Sequence, residues 1–172
     1  MSIQIKQVEQ HDVIILTLLA RITFTEAFGY LFTPEELKDY LDKTFTVAKL
    51  RESVAKSNNR FFLAIVDELP VAYAKLKLHS PYESLPYHSP AQLQKIYVLK
   101  EFIGNGIGEK LQETVFREAE KNNKSILWLA VWEENHKARK FYTRYGYHKE
   151  STYGYGIGEK YFTYDIMVKH FQ

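Results

Sequence analysis

The 172-residue chain contains no cysteine. That absence excludes disulfide frameworks, cysteine-ligated zinc or iron–sulfur sites, and any thiol nucleophile on the protein. It suits a reducing cytoplasm, the compartment we expect. An excess of either charge is missing as well: 23 Lys and Arg against 21 Asp and Glu leave a formal charge of +2. Such balance argues against nucleic acid or a membrane surface as a partner. Long apolar runs are also absent. The longest, Ile126 to Trp132, has seven residues, far short of the roughly 20 that cross a bilayer. Lys6, Glu9 and Asp12 interrupt any signal-like start. A chain of this length, read as one domain over 1–172, can bury roughly 70% of its unfolded surface without a staple. What is abundant is aromatic: Phe, Trp and Tyr make up 15% of the residues.

Residues 3–8 alternate apolar and polar, as a half-buried strand does. Asp12 can cap a helix through Leu16, Leu19, Ala20, Thr23 and Ala27, and Pro34 suits the first turn of a second. A third helix runs about 47–55. Strands are expected at 60–66 and 71–78, joined at Asp67-Glu68-Leu69-Pro70, then a loop over 79–90 and a strand at 93–99. From Ile107, apolar residues recur at Leu111, Val115 and Ala119, which marks a surface helix with one buried stripe. Ile126–Trp132 is apolar throughout, like a central strand covered on both faces. Asn135 caps a last helix that Gly146 ends, and strands close the chain at 147–153 and 161–169. The order implies an α/β or α+β fold around one central sheet.

One string occurs twice: Gly-Asn-Gly-Ile-Gly-Glu-Lys at 104–110 and Gly-Tyr-Gly-Ile-Gly-Glu-Lys at 154–160. The first follows a strand and feeds a helix. The second lies between two strands and reads as a hairpin loop. Glycines at a strand-to-helix junction expose backbone N–H groups to a ligand, and the helix N-terminus adds unpaired donors and a positive dipole end, a combination that binds phosphate. Neither familiar phosphate motif fits. A P-loop needs Lys after its last glycine, where Glu109 stands, and a dinucleotide fingerprint needs its third glycine at that same position.

The segment Asn135-His-Lys-Ala138-Arg-Lys-Phe141-Tyr142-Thr-Arg-Tyr145-Gly146-Tyr147 resembles the Asn-x-x-Ala-x-x-Phe-Tyr-x-x-x-Gly-Phe signature of the GCN5-related N-acetyltransferases (GNAT). The glycine loop about 30 residues earlier resembles that family's Gln/Arg-x-x-Gly-x-Gly/Ala motif. Phe24-Thr-Glu26-Ala-Phe28 and Trp128-Leu-Ala-Val-Trp132-Glu133 are most similar to the bacterial spermidine/spermine N-acetyltransferases of the PaiA kind. The resemblance implies a mixed, mostly antiparallel sheet of about seven strands flanked by helices, with splayed central strands.

It also implies roles. Acetyl-CoA would be the cosubstrate, its pantetheine arm along Ile96, Tyr97 and Val98. Its pyrophosphate would lie on Gly104, Asn105, Gly106, Ile107, Gly108 and Glu109, aided by Lys110, with Asn135 and Lys137 contacting the cofactor. Tyr142 would be the general acid for the leaving thiolate. The family's Gln or Arg is Ile103 here, left with packing as its contribution. The strand before the loop carries Gln92 and Gln94 where a carboxylate base is common, so the base is unassigned. Glu26, Phe28, Tyr30 and Tyr40 are the expected acceptor contacts, with Glu35, Asp39 and Asp42 making the early helices acidic and polyamine the leading acceptor. A peptide N-terminus, an amino acid or an antibiotic amine is the alternative within the class. A CoA-binding sensor without turnover and an aromatic interaction domain are the readings outside it. Without cysteine no acetyl-cysteine can form, so direct attack by the amine in a ternary complex is the expected route. Trp128 and Trp132 read as packing residues. His79, His88 and His136 lack metal-ligand spacing and read as surface residues; no metal is expected. Oligomeric state is open, a homodimer included.

Overall fold

Two left-handed residues fix the first long hairpin. Asp67 and Glu68 have φ of 47° and 70°, the two-residue turn whose twist matches that of its strands. It joins β2 (Asn59–Val66) to β3 (Leu69–Lys77). The computed structural model describes residues 2–157 and 159–171. The remaining elements are β1 (Ile3–Gln7), α1 (Val13–Phe28), α2 (Pro34–Thr44), α3 (Val47–Ala55), β4 (Ala91–Val98), α4 (Ile107–Lys121), β5 (Ile126–Trp132), α5 (His136–Arg144), β6 (His148–Ile157) and β7 (Lys160–His170). The sheet runs β1-β2-β3-β4-β5-β7-β6. Its β4–β5 pairing is parallel, with Ala91 opposite Leu127 and Gln92 opposite Trp128, while β1–β2, β5–β7 and β6–β7 are antiparallel. This is the α/β architecture with seven mixed strands that the family resemblance implied.

The chain packs as two compact units, Met1–Leu76 with Lys95–Phe116, and Lys77–Gln94 with Arg117–Gln172. In the first, α1 supplies Val13, Leu16, Leu19, Ala20 and Phe24 to a core shared with Leu41, Phe45, Leu50, Phe61, Leu63 and Tyr73. Burial of each large apolar side chain there contributes about 1.5–3 kcal/mol. The segment Gln10–Leu31 is long and apolar enough, by length and composition, to cross a membrane, which run-length counting over the sequence overlooked. Seven residues of α1 are buried in the fold, while Ile14, Ile15, Leu18 and Ile22 lie exposed. Asp12 precedes α1 without capping it through its side chain. Its carboxylate instead accepts from the Glu9 N–H at 2.9 Å and from Lys6 at 2.8 Å, closing the preceding 3-10 turn.

In the second unit, Leu85, Ile126, Trp128, Ile166 and Val168 form the core. Trp128 donates to the Ser80 carbonyl at 2.8 Å and stacks on Tyr82 at 5.2 Å, so it is a packing residue as expected. The second glycine string departs from its expected loop. Residues 154–157 continue β6, with Gly154 opposite Thr163 and Gly156 opposite Tyr161; Gly158 lies outside the described residues. A β-carbon at Gly154 would fall 1.6 Å from Tyr161 Oη, so the missing side chain leaves room for the Tyr161 ring across the strand.

Candidate active site

The 3-10 turn Lys100–Phe102 leads from β4 into the glycine loop. Gly104 and Gly106 have φ of 89° and 76°, a region most side chains avoid. A β-carbon at either would meet nothing within 4 Å, so the loop presents bare backbone to open space. Lys110 N–H donates to the Gly106 carbonyl at 3.2 Å; the helix N–H groups before it have no intrahelical acceptor. Bare amides and the positive end of the α4 dipole suit an anionic group. Asn105 closes the loop through Nδ2 to the Phe102 carbonyl at 3.2 Å. Gly108 and Glu109 are half-buried and Lys110 is exposed. The Ile107 side chain is buried in the core, so its backbone alone can meet a ligand. Ile103 is 64% exposed, which corrects the expectation that it packs.

Ile96, Tyr97 and Val98 are half-buried on β4. In the same unit an aromatic cluster gathers around Phe24, which lies 4.6 Å from Tyr40, 5.2 Å from Phe28 and 5.8 Å from Phe45. Tyr97 joins it edge-on to Phe28 at 6.3 Å and stacks on Tyr73 at 5.8 Å. Tyr73 Oη is buried without a hydrogen-bond partner among the described residues, and burial pushes its phenol pKa well up. Phe28 and Tyr40 are thus brought together around Phe24, whereas Tyr30 is 75% exposed. Glu26 accepts from the Lys100 N–H at 2.9 Å, a bond that fixes the turn after β4. Asp42 is held by Arg21 and Lys38, each at 2.8 Å. Their hydrogen bonds hold its carboxyl below the usual range.

In the second unit, Asn135 caps α5 by accepting from the Ala138 N–H at 3.2 Å, and Lys137 is exposed. Tyr142 is half-buried on α5. Its ring packs against Phe141 at 5.5 Å and Tyr147 at 5.6 Å. Burial raises its phenol pKa, so the hydroxyl stays protonated at neutral pH. Gly146 ends the helix at φ 84°. Asp165, 1% exposed, lies 2.9 Å from Arg139 Nε and 2.7 Å from Lys149 Nζ. Neither contact is aligned as a hydrogen bond, so charge holds the carboxylate. Gln92 accepts from Ser80 Oγ at 2.7 Å, and Gln94 is exposed. His79, His88 and His136 are exposed as expected.

Lys95 is a residue the sequence reading missed. Its Nζ lies 5.1 Å from the Phe45 ring centroid, on the aromatic cluster. No carboxylate reaches it among the described residues, and burial lowers its ammonium pKa to about 8. Its position two residues before Tyr97, hence on the same strand face, was the available signal.

The sequence matches the acetyltransferase (GNAT) family over residues 25–147. It is 29% identical over 168 residues to an N-acetyltransferase of Lactobacillus delbrueckii subsp. lactis, covering 98% of this chain and 96% of that one. It is 25% identical over 162 residues to the spermidine N(1)-acetyltransferase of Thermoplasma acidophilum, covering 90% and 93%. In structure it resembles the PaiA N-acetyltransferase of Thermoplasma acidophilum, solved in complex with coenzyme A. That likeness has a TM-score of 0.82 at 21% identity, over 99% of this chain and all of the other (100%). A glycine loop opening a helix, an Asn-capped helix carrying the half-buried Tyr142 and a family match over most of the chain together make this protein a GNAT N-acetyltransferase.

Proposed function

We propose that the protein transfers the acetyl group of acetyl-CoA to a primary amine in the cytoplasm, with a polyamine as the leading acceptor. The observation that carries the cosubstrate is the loop at Gly104 and Gly106, whose left-handed backbone faces open space at the start of α4. Its amides would take the pyrophosphate, with Lys110 adding charge. The pantetheine arm would follow Ile96, Tyr97 and Val98, as the family resemblance implies. The amine, once neutral, attacks the thioester carbonyl; the C–N bond forms, the C–S bond breaks, Tyr142 gives its proton to the departing thiolate, and the proton shed by the new amide nitrogen restores the phenol. Asn135 and Lys137 would contact the cofactor from α5.

The polyamine reading is supported by the likeness to a spermidine acetyltransferase. It is also supported by the exposed carboxylates Glu35 and Asp39 on α2, and by the faces of Phe28 and Tyr40, which suit an alkylammonium. A second reading rests on Lys95. A lysine on the aromatic cluster with no carboxylate partner among the described residues favours an acceptor that brings its own anion, such as an amino acid, over a polycation. A thiol-release assay with acetyl-CoA and a panel of spermidine, spermine, amino acids and peptide N-termini decides between them. Highest kcat/KM on spermidine supports the polyamine; highest kcat/KM on a carboxylate-bearing amine supports the second reading. Coenzyme A binding without turnover on any amine would make the protein a sensor.

A further inference from the structure

Three donors converge at one end of the second unit. His148 opens β6, His170 closes β7, and Glu150 stands where their register slips: Lys149 faces Met167 and Ser151 faces Ile166. Glu150 is therefore the extra residue of a β-bulge, a device that re-aims a side chain. His148 Nε2 lies 2.9 Å from Glu150 Oε1, and His170 Nε2 lies 3.5 Å from the same oxygen. All three ligand atoms fall within 4.8 Å of one another. The imidazoles stand nearly parallel, 10° apart with centroids at 5.4 Å.

Support comes from the loop before β4. Tyr87 Oη donates to Glu150 Oε1 at 2.6 Å, lies 3.3 Å from His170 Nε2 and packs its ring edge-on to His170. A ligating carboxylate is commonly held by an outer hydrogen bond of the kind Tyr87 gives Glu150.

We propose that His148, Glu150 and His170 bind a divalent transition-metal cation of the zinc class. Two imidazoles and a carboxylate are a donor set suited to zinc. A tetrahedral cation with bonds of about 2.0–2.1 Å keeps its donors about 3.3 Å apart, and the two imidazole-to-carboxylate separations bracket that spacing. The histidine side chains are 55% and 49% exposed, so water completes the coordination. The bound cation ties the start of β6 to the end of β7. None of the three residues belongs to the acetyl-transfer machinery, so the metal stabilises the hairpin rather than taking part in the reaction.

The test uses the whole protein stripped of metal by a chelator, then titrated with Zn(II) against a chromophoric competitor. One equivalent should bind with a Kd of about 10 μM or tighter, raise Tm through mass action, and, with Co(II) instead, give visible absorption of a low-coordinate site. Outer-shell losses typically cost about 10–100-fold. Tyr87→Phe should therefore weaken zinc by about 10-fold, and Glu150→Gln or His170→Ala by about 100-fold or more. His136→Ala should leave it unchanged. Circular dichroism checks that each variant is folded. No single-equivalent binding at about 100 μM Zn(II), or equal binding by folded Glu150→Gln and His170→Ala, overturns the site. These readouts do not involve acetyl transfer, so the proposal can fail while the proposed acetylation stands.

Discussion

The Lys95 ammonium lies 5.1 Å over the Phe45 ring, in a cluster that offers it aromatic faces and, among the described residues, no carboxylate. Burial lowers its pKa to about 8 from the usual 10.5 of a lysine. Below pH 8 the folded chain must hold a cation that the unfolded chain solvates better. Between pH 8 and 10.5 the unfolded chain still binds this proton and the folded chain does not, so stability rises with pH. Lys95→Met should therefore stabilise the protein by about 1–3 kcal/mol at pH 7, and the gain should fade by pH 10. Urea unfolding at both pH values measures it; a less stable variant at pH 7 contradicts the account. If the acceptor brings an anion, the same variant also raises its KM.

Tyr142→Phe removes one hydroxyl from a ring held by Phe141 and Tyr147. Loss of a general acid typically costs about 10²–10⁴-fold, so kcat should fall at least about 100-fold while CoA affinity changes little. Single-turnover thiol release and calorimetric CoA titration separate the two. An unchanged kcat would return Tyr142 to a packing role.

Gly106→Trp places a bulky side chain in the open space before α4 and forces a left-handed residue away from its preferred region. Coenzyme A binding should be abolished with the far-UV spectrum retained. Unchanged affinity in calorimetry would mean that the pyrophosphate lies elsewhere.

Asp165→Asn keeps the shape of a 1% exposed side chain but removes the charge that Arg139 and Lys149 share. Both cations are partly exposed and can rehydrate, so the expected loss is about 1–3 kcal/mol, measured by the denaturation midpoint. A stability equal to that of the parent would show that desolvation cancels the pairing.

Periodicity and punctuation located most of the fold. The Pro34 start, the apolar run 126–132 and the Asn135 cap became α2, β5 and α5 because each signal is local. The glycine loop was legible for the same reason, as turn chemistry belongs to the residues that make the turn. Tertiary partners were not legible. Glu26 accepts from the Lys100 N–H, a partner far along the chain that no local pattern names. The grouping of His148, Glu150 and His170 depends on a bulge and on pairing across a hairpin, which no spacing of three residues encodes.

Gly-Asn-Gly-Ile-Gly-Glu-Lys at 104–110 and Gly-Tyr-Gly-Ile-Gly-Glu-Lys at 154–160 differ at one position, Asn105 against Tyr155. The first is a turn with left-handed glycines that feeds a helix, whereas residues 154–157 of the second are extended strand. Gly-x-Gly-Ile is therefore a chameleon segment, a turn into a helix at 104–107 and extended strand at 154–157. Tyr155→Asn would give one chain two identical heptapeptides, and peptides excised from it could not be told apart.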